Sequence, residues 1–292
     1  MTPLLSFADI RKDYFGVPAV RDLTLDIPRG GILGIIGENG AGKSTLMNMV
    51  GGVAPATSGQ MTWQGQPYAP RTPGDAAAQG IAFIHQELNL FTNLSIAENI
   101  FIDGFPTRLG MIDRRATRAR TEELLAQLSL EAAPETEVDR LAAGERQLVE
   151  IAKALHRDAE LIIFDEPTTS LTPRETARLF ETIERLRADG KTVIYISHIL
   201  GDVARLCDRI VVLRDGILIE NRPTADFTVP QMIAAMIGRE LSGLFPDRSS
   251  APLPDIQFSA RGLTQPGILE DVSFDIRKGE ILGLFGLMGS GR

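Results

Sequence analysis

The sequence predicts an α/β fold built on a mostly parallel core sheet, and three observations lead to that prediction. Short apolar runs recur at 31–37, 81–86, 161–166 and 192–198, and each is typical of a buried strand. Helical patterns alternate with these runs, as they do in parallel sheets. A glycine-rich segment joins the first run to a helix that begins near Lys43. Together these features indicate repeated units of strand, loop and helix.

Two regions depart from this alternation. Residues near 4–30 and 59–70 predict an antiparallel β subdomain, in which Trp63 is expected to pack rather than to act in function. Residues 88–155 hold helical patterns and no convincing strand, so they predict a helical subdomain inserted into the α/β core. One face of a helix in this insert is expected to carry Leu124, Leu125 and Leu128.

Start and stop signals mark the later elements. Thr172 can cap a helix whose first turn holds Pro173, and Glu175 would complete a capping box. Asp215–Gly216 predicts a two-residue turn between the strands of a hairpin. The apolar face of the helix after Thr172 is expected to comprise Leu179, Phe180, Ile183 and Leu186.

Composition excludes several classes of protein. With 292 residues, 43% of them apolar and 23% charged, the chain is typical of a folded globular protein. Its longest apolar runs are far shorter than the roughly 18 residues of a membrane span. The single cysteine, Cys207, rules out an internal disulfide and is expected to lie in the core. The net charge is -8 and the basic run at 114–120 is expected to be a solvated helix start, which argues against nucleic-acid binding.

The segment "GENGAGKST" matches the phosphate-loop pattern, because its glycines, Lys43 and Ser44 have the required spacing between a strand and a helix. Glycines allow backbone N–H groups to turn toward phosphates, and the helix N-terminus adds positive potential. Lys43 would neutralise phosphate charge, and the hydroxyl of Ser44 can bind Mg²⁺. The predicted nucleotide-binding residues are Gly37, Glu38, Asn39, Gly40, Ala41, Gly42, Lys43, Ser44 and Thr45.

Residues able to act in phosphate chemistry follow three of the later apolar runs. Asp165 can help to bind Mg²⁺, and the adjacent Glu166 can accept a proton from an attacking water. His198 is expected to contact the γ-phosphate, and Gln86 could orient water or bind the metal. The predicted catalytic residues are Glu166, His198 and Gln86, and the predicted metal ligands are Ser44, Gln86 and Asp165.

In this order and spacing, the motifs resemble those of the ATP-binding cassette (ABC) ATPases, a family of P-loop NTPases. By this resemblance Gln86 belongs to the Q-loop, residues 170–172 form the D-loop and His198 is the switch histidine. The resemblance also implies that Tyr14 stacks on adenine, with Phe15 as the alternative. It identifies the signature motif as Leu141, Ala142, Ala143, Gly144 and Glu145.

The chain also repeats part of itself. Residues 270–292 align without a gap on residues 21–43, and they keep two aspartates and five glycines. The repeat predicts that a second cassette begins near residue 255. The expected organisation is a first cassette at 1–240 with its helical subdomain at about 88–155, a linker at 241–254 and a truncated start of a second cassette at 255–292.

Three details resemble the bacterial monosaccharide importers of the ribose, galactose and xylose type. They are "RQLVEIAKAL" after the signature, Thr172 where most relatives have aspartate, and Arg292 where a phosphate loop usually has lysine. The resemblance implies an ATPase that uses ATP and Mg²⁺ to energise sugar import. Its partners would be membrane permease subunits, through them a periplasmic sugar-binding protein, and a second ABC cassette. The protein would lie peripherally on the cytoplasmic side of the bacterial inner membrane.

Ala142 departs from the family pattern, in which this signature position is usually serine. That serine donates to the γ-phosphate held by the opposite cassette, which here would carry Arg292. The resemblance therefore implies an asymmetric pair of sites, with the competent one built on Lys43. Two alternatives stay open: a truncated and catalytically incompetent ABC fragment, and a tandem-cassette ATPase acting on nucleic acid or ribosomes. The short, nearly neutral linker argues against the latter.

Overall fold

The computed structural model describes residues 2–85, 89–169, 171–238 and 252–286. The chain divides into two compact units, Met1–Arg239 and Glu240–Arg292. Predictions for Gln86, Ser170 and Arg292, and for most of the linker at 241–254, fall outside the described residues.

The first unit contains twelve β-strands in its described residues. In chain order they are β1 (Leu5–Tyr14), β2 (Val17–Ile27), β3 (Gly31–Ile36), β4 (Ser58–Trp63), β5 (Gln66–Tyr68), β6 (Ile81–Ile84), β7 (Thr107–Arg108), β8 (Met111–Ile112), β9 (Leu161–Asp165), β10 (Thr192–Ile196), β11 (Arg209–Arg214) and β12 (Ile217–Pro223).

Eight α-helices accompany these strands in the described part of the unit. They are α1 (Lys43–Val50), α2 (Pro73–Ala78), α3 (Ile96–Ile100), α4 (Arg114–Gln127), α5 (Ala143–His156), α6 (Pro173–Ala188), α7 (Leu200–Leu206) and α8 (Val229–Ile237). None of the helices that the structure describes is long and apolar enough to cross a membrane.

The core sheet has six strands in the order β12-β11-β3-β10-β9-β6. Five of them run parallel, and β12 joins the edge antiparallel to β11. β3 is central: Leu33 pairs with Ile194 on one side and with Arg209 on the other. The predicted α/β fold with a mostly parallel core sheet is therefore confirmed. Because the strands are parallel, the loops after β3, β9 and β10 lie at the same edge of the sheet.

A second sheet, β2-β1-β4-β5, is antiparallel and forms the predicted antiparallel subdomain. Its apolar residues share a cluster with α1 and with one face of the core sheet, and Trp63 is buried in that cluster. The other face of the core sheet packs against the helical segments in a second cluster. Helices and strands thus cover both faces of the core sheet, which buries most residues of β3, β9, β10 and β11.

The helical insert contains α3, α4 and α5, and Leu124, Leu125 and Leu128 are buried as predicted. The expectation that this segment contains no strand is wrong in one place. Thr107–Arg108 and Met111–Ile112 form a short antiparallel hairpin. Two residues per strand are too few for a periodic pattern to reveal them in the sequence.

The predicted helix and turn signals around the later strands are confirmed. The side chain of Thr172 accepts from the backbone N–H of Glu175, and the Glu175 carboxylate accepts from the Thr172 N–H, which completes the capping box of α6. Asp215 and Gly216 both have positive φ and connect β11 to β12 in a tight turn. Cys207 is buried.

The second unit contains one antiparallel pair, β13 (Ile256–Gln265) with β14 (Leu269–Arg277). Residues 281–286 belong to no strand or helix, and several of their apolar side chains are exposed. This unit is the region in which the repeat predicts the beginning of a second cassette.

Candidate functional site

The phosphate loop lies between the end of β3 and the start of α1, as its sequence pattern predicts. At Gly37 a Cβ atom would lie 2.3 Å from the carbonyl oxygen of Leu213. At Gly42, where φ is 99°, it would lie 2.6 Å from the carbonyl oxygen of Ala19. No other residue fits at these two positions without moving backbone. The glycines are therefore required by the close packing of the loop against β11 and β2.

Lys43 is the first residue of α1, and its side chain is buried. Its ammonium group donates to the carbonyl oxygens of Gly37 at 2.7 Å and Glu38 at 3.0 Å. Burial lowers the pKa of Lys43, and the negative charges of Glu166 and Asp165 partly offset this effect. The loop thus holds a cation close to two carboxylates at the end of β9, the second strand from β3 in the core sheet.

The remaining predicted loop residues differ in their exposure to solvent. Glu38, Asn39 and Gly40 are exposed, and the Ala41 N–H donates to the carbonyl oxygen of Glu38. Ala41 is buried, Thr45 is half-buried and Ser44 is exposed in the first turn of α1. The N-terminus of a helix attracts anions through its free N–H groups and its dipole. An exposed hydroxyl at this helix start suits a phosphate and its metal ion.

Asp165 is the last residue of β9, and Glu166 follows it directly. Burial raises the pKa of Asp165, and the adjacent charge of Glu166 raises it further, whereas His85 and Lys43 lower it. Glu166 has a φ of 50°, and its N–H donates to the carbonyl oxygen of Ile196 at the end of β10. A left-handed conformation is unfavourable for glutamate, and the hydrogen bond to Ile196 helps to hold Glu166 in it.

His198 lies just after β10, and its Nδ1 is 3.0 Å from Oε2 of Glu166. The Glu166 side chain is largely buried, whereas that of His198 is half exposed. The two predicted catalytic side chains of the described residues are therefore in direct contact. This hydrogen bond fixes the orientation of the Glu166 carboxylate beside Asp165.

The signature segment leads into α5, with Leu141 buried before it and Ala142 at the N-cap. Alanine has no side-chain acceptor, so only the Glu145 half of a capping box is present, with the Ala142 N–H donating to Glu145 at 2.9 Å. The Gly144 N–H donates to the Glu175 carboxylate at 3.0 Å. Ala143 is exposed in the first turn. Two N–H groups at the start of α5 are therefore bonded to glutamates, one of them from α6.

The sequence predicts Glu175 only as part of the capping box of α6. The structure adds a second contact, with the N-terminus of α5. Its pKa is lowered mainly by hydrogen bonds from Thr172, with a smaller contribution from the Gly144 N–H. A Cβ atom at Gly144 would lie 2.9 Å from Cγ of Glu175, so the glycine permits this close approach. Sequence reasoning could not find the contact, because it joins two helices across the fold.

Gln147 is a second residue whose part in the site the sequence did not reveal. It lies on α5 and is buried, and its Nε2 donates to the carbonyl oxygen of Pro167 at 3.1 Å. Pro167 directly follows the Asp165 and Glu166 pair. This bond links the signature helix to the end of β9, and a polar residue in a mostly apolar helix face was the one available signal.

Tyr14 ends β1 and is partly exposed, with the Lys12 ammonium 4.9 Å from the centre of its ring. Phe15 is fully exposed and has a φ of 49°. Both aromatic rings are thus accessible for stacking, and the choice between them stays a prediction. Gln86 lies outside the described residues.

A metal site made of protein groups alone is not found in the described residues, because no cluster of three or more His, Cys, Asp or Glu side chains is present there. Mg²⁺ at nucleotide sites usually takes one or two protein ligands, and the phosphates and waters supply the rest. The Ser44 hydroxyl and the Asp165 carboxylate are oxygen donors of the kind that Mg²⁺ requires. Ser44 and Asp165 are therefore suitable ligands for a Mg²⁺ ion that binds together with a nucleotide.

Comparison with known proteins gives consistent results. The family model described as "ABC transporter" matches residues 20–169. The chain is 44% identical over 289 residues to a putative ribose/galactose/methyl galactoside import ATP-binding protein of Burkholderia cenocepacia, covering 99% of this chain and 56% of that protein. It is also 44% identical over 291 residues to a ribose import ATP-binding protein of Streptomyces avermitilis, covering 99% of this chain and 57% of that protein. The chain thus spans little more than half the length of these relatives.

Solved structures support the fold. The ADP conformation of MJ1267, an ATP-binding cassette of an ABC transporter, has a TM-score of 0.70 at 24% identity and covers 82% of this chain and 100% of its own. A dimeric post-hydrolysis state of the cassette MJ0796, bound to ADP and Pi, has a TM-score of 0.64 at 25% identity and covers 76% of this chain and 100% of its own.

Proposed function

The chain belongs to the ABC transporter family, and from this premise we propose that it binds ATP with Mg²⁺ and hydrolyses ATP to energise the import of a monosaccharide through a membrane transporter. The main support for this proposal is the phosphate loop, which places Lys43 beside the Asp165 and Glu166 carboxylates. The names of the relatives, which refer to ribose and galactose import, support the choice of substrate.

Nucleotide binding follows from the loop. The N–H groups at the start of α1 bind the phosphates, and Lys43 exchanges its contacts with the Gly37 and Glu38 carbonyls for phosphate oxygens. Ser44 and Asp165 would hold Mg²⁺, which would neutralise part of the phosphate charge. Gln86 belongs to the same predicted metal set. Tyr14, or Phe15 beside it, stacks on the adenine ring.

Hydrolysis requires a base near the γ-phosphate. Glu166 accepts a proton from the attacking water at one carboxylate oxygen, while the other oxygen is held by His198. Because Nδ1 faces a carboxylate, that nitrogen carries the proton and donates to Glu166. His198 can then orient the base and present its other ring nitrogen toward the phosphate.

The partners are inferred from the same premise. A second cassette supplies its signature to the Lys43 site, and the signature at Ala142 serves a second site that carries Arg292. Membrane permeases contact the helical insert near residues 87–101, where Phe91 is exposed. Through these permeases a periplasmic sugar-binding protein delivers the sugar. The protein then acts at the cytoplasmic face of the membrane as a peripheral subunit.

The role of the phosphate loop is tested by calorimetry of MgATP binding to the wild type and to Lys43→Ala. Loss of this charge-assisted contact is expected to weaken binding by at least ~2 kcal/mol. Lys191→Ala is a suitable control, because Lys191 lies after α6 and away from the loop in sequence and fold. Equal affinity of Lys43→Ala and the wild type would remove the loop from the proposal.

The role of the base is tested by Glu166→Gln, which keeps a hydrogen-bonding side chain but cannot accept the proton. MgATP affinity is expected to stay the same, while hydrolysis of radiolabelled ATP, measured with the second cassette present, falls at least ~100-fold. Glu181→Gln on the exposed side of α6 is the matched control. Undiminished hydrolysis in Glu166→Gln would show that another group activates the water.

The transport function is tested in the host cell. Deletion of the gene is expected to abolish uptake of at least one radiolabelled monosaccharide among ribose, galactose and xylose, and the wild-type gene is expected to restore it. The Lys43→Ala gene should fail to restore uptake. Unchanged uptake of all three sugars after deletion would contradict the proposed substrate class without touching the assignment of the ATP site.

A further inference from the structure

The hairpin formed by β7 and β8 exposes apolar side chains at its tip. Leu109 and Gly110 make the turn, with φ of 54° and 80°. Leu109 is 93% exposed and Met111 is 71% exposed, and Ile112 beside them is also exposed. Three large aliphatic side chains are thus in water within four consecutive positions, whereas most aliphatic side chains of the first unit lie in its two cores.

Local stability does not explain the leucine in this turn. Turns with two positive φ values favour asparagine, aspartate or glycine, because other side chains are strained in the left-handed region. Leucine at the first position carries that strain and gains no burial in return. An apolar surface outside the chain would give this side chain a favourable environment.

Basic residues lie beside the apolar tip. Arg108, Arg114 and Arg115 line one shallow cleft together with Leu109, Met111 and Ile112. The Asp113 carboxylate in this cleft is engaged as the cap of α4, accepting from the N–H groups of Arg115 and Ala116. Two of these arginines stand in the first turn of α4, where the helix dipole disfavours positive charge. Helix stability therefore does not account for them either.

These arginines are available for an external anion. Among the ion pairs of the described residues, the neighbouring Arg118 is paired with Glu122 and Glu135, and Arg120 is paired with Glu123. No ion pair within that part of the chain includes Arg108, Arg114 or Arg115. The cleft is a local basic surface on a chain whose net charge is -8.

An aliphatic tip that shares a cleft with three arginines is complementary to the surface of an anionic lipid bilayer. We propose that the hairpin Thr107–Ile112 inserts its tip into the headgroup layer of an anionic membrane while Arg108, Arg114 and Arg115 bind lipid phosphates. Apolar side chains enter the boundary between headgroups and acyl chains, and basic residues add electrostatic attraction to anionic lipid. The chain as a whole carries a net negative charge. Because an anionic bilayer would attract this basic cleft and not the acidic remainder, the attraction would also orient the protein on the bilayer.

A protein partner is less well matched to these residues. Protein interfaces bury an apolar centre of several side chains against a shaped groove, with their charges at the rim. Here the apolar part is a single turn and the charge is mainly positive, with three arginines beside one capping carboxylate, which suits a fluid surface with many phosphates. The inference goes beyond the proposed function, since it requires neither ATP nor a permease.

Co-sedimentation of the full chain with vesicles tests the proposal. Vesicles of phosphatidylcholine mixed with phosphatidylglycerol are expected to bind the wild type, and vesicles of phosphatidylcholine alone are not. Leu109→Asn is the informative variant, because asparagine tolerates a positive φ and the turn is kept. Its binding to the mixed vesicles should fall at least ~10-fold through loss of one inserted leucine. The double change Arg114→Gln with Arg115→Gln should reduce binding about 25-fold, and added salt should reduce it in the wild type.

The control is Phe285→Ser, which removes an exposed aromatic side chain from the second unit and should leave vesicle binding unchanged. MgATP calorimetry on Leu109→Asn should match the wild type, so a failure of this inference is distinct from a failure of the ATP site. The proposal is overturned if the wild type binds neither kind of vesicle, which would leave a protein partner as the occupant. It is equally overturned if Leu109→Asn binds the mixed vesicles as tightly as the wild type, or if binding is lost in Phe285→Ser instead.

Discussion

Two segments of the molecule share one sequence pattern and differ in structure. Residues 21–37 and 270–286 align without a gap, and each begins in the second strand of an antiparallel hairpin, β2 or β14. Asp22 and its counterpart Asp271 have φ of 43° and 49°, and Gly30 and Gly279 have φ of 71° and 77°. Beyond these glycines the first segment continues as β3, whereas residues 281–286 form no strand.

The difference lies in the long-range partners. β3 is hydrogen-bonded to β10 on one side and β11 on the other, and both strands come from distant parts of the chain. Ile36 is 0% exposed in the first segment, while the corresponding Phe285 is 94% exposed. The comparison teaches that local sequence determines the hairpin and its turns, whereas a parallel strand depends on partners supplied by the rest of the fold. The phosphate loop after β3 depends on the same partners.

The largest effect is expected from removing apolar side chains at matched positions. Ile36→Ala leaves a cavity in the core of the first unit and should lower the free energy of unfolding by about 2–5 kcal/mol. Phe285→Ala should change it by less than about 0.5 kcal/mol, as is usual for an exposed site. Urea titration monitored by the far-ultraviolet circular dichroism of both variants provides the comparison. A similar loss of stability in both variants would mean that Phe285 is packed as tightly as Ile36.

A smaller effect is expected from adding a methyl group to matched glycines. At Gly34 a Cβ atom would lie 2.7 Å from Cγ1 of Val203 and 2.9 Å from Sγ of Cys207, whereas at Gly283 nothing lies within 4 Å. Gly34→Ala should therefore destabilise by about 1–3 kcal/mol through overpacking, and Gly283→Ala should be nearly neutral. Thermal unfolding measured by calorimetry distinguishes the two, and the opposite ranking would contradict the structural difference.

The smallest effect is expected from a purely local change. Ala142→Ser gives α5 the side-chain cap that alanine lacks and should stabilise the first unit by about 0.5–1 kcal/mol. Thr172→Ala removes the existing cap of α6 and should destabilise it by a similar amount. Chemical denaturation provides both values. If Ala142→Ser stabilised the protein by as much as Ile36→Ala destabilises it, local capping would matter as much as long-range packing.

The sequence predicted most of the fold and the residues of the phosphate loop, because these depend on local patterns. Apolar runs located the core strands, and the Thr172 and Glu175 pair located a helix start that the structure confirms. Three features were out of reach: the positive φ of Glu166, the contact of Glu175 with Gly144, and the bond from Gln147 to Pro167. Each joins or results from elements that packing alone brings together, and among these features only the polar Gln147 in α5 gives a local signal in the sequence.

The most direct test of this account is hydrogen exchange followed by mass spectrometry, with and without MgATP. The account predicts slow exchange across residues 32–36, which slows further when MgATP binds the adjacent loop, and fast exchange across residues 281–286 that nucleotide does not change. Equally slow exchange in both segments, or no effect of MgATP on residues 32–44, would contradict the claim that β3 and its long-range partners make the first copy the nucleotide-binding one.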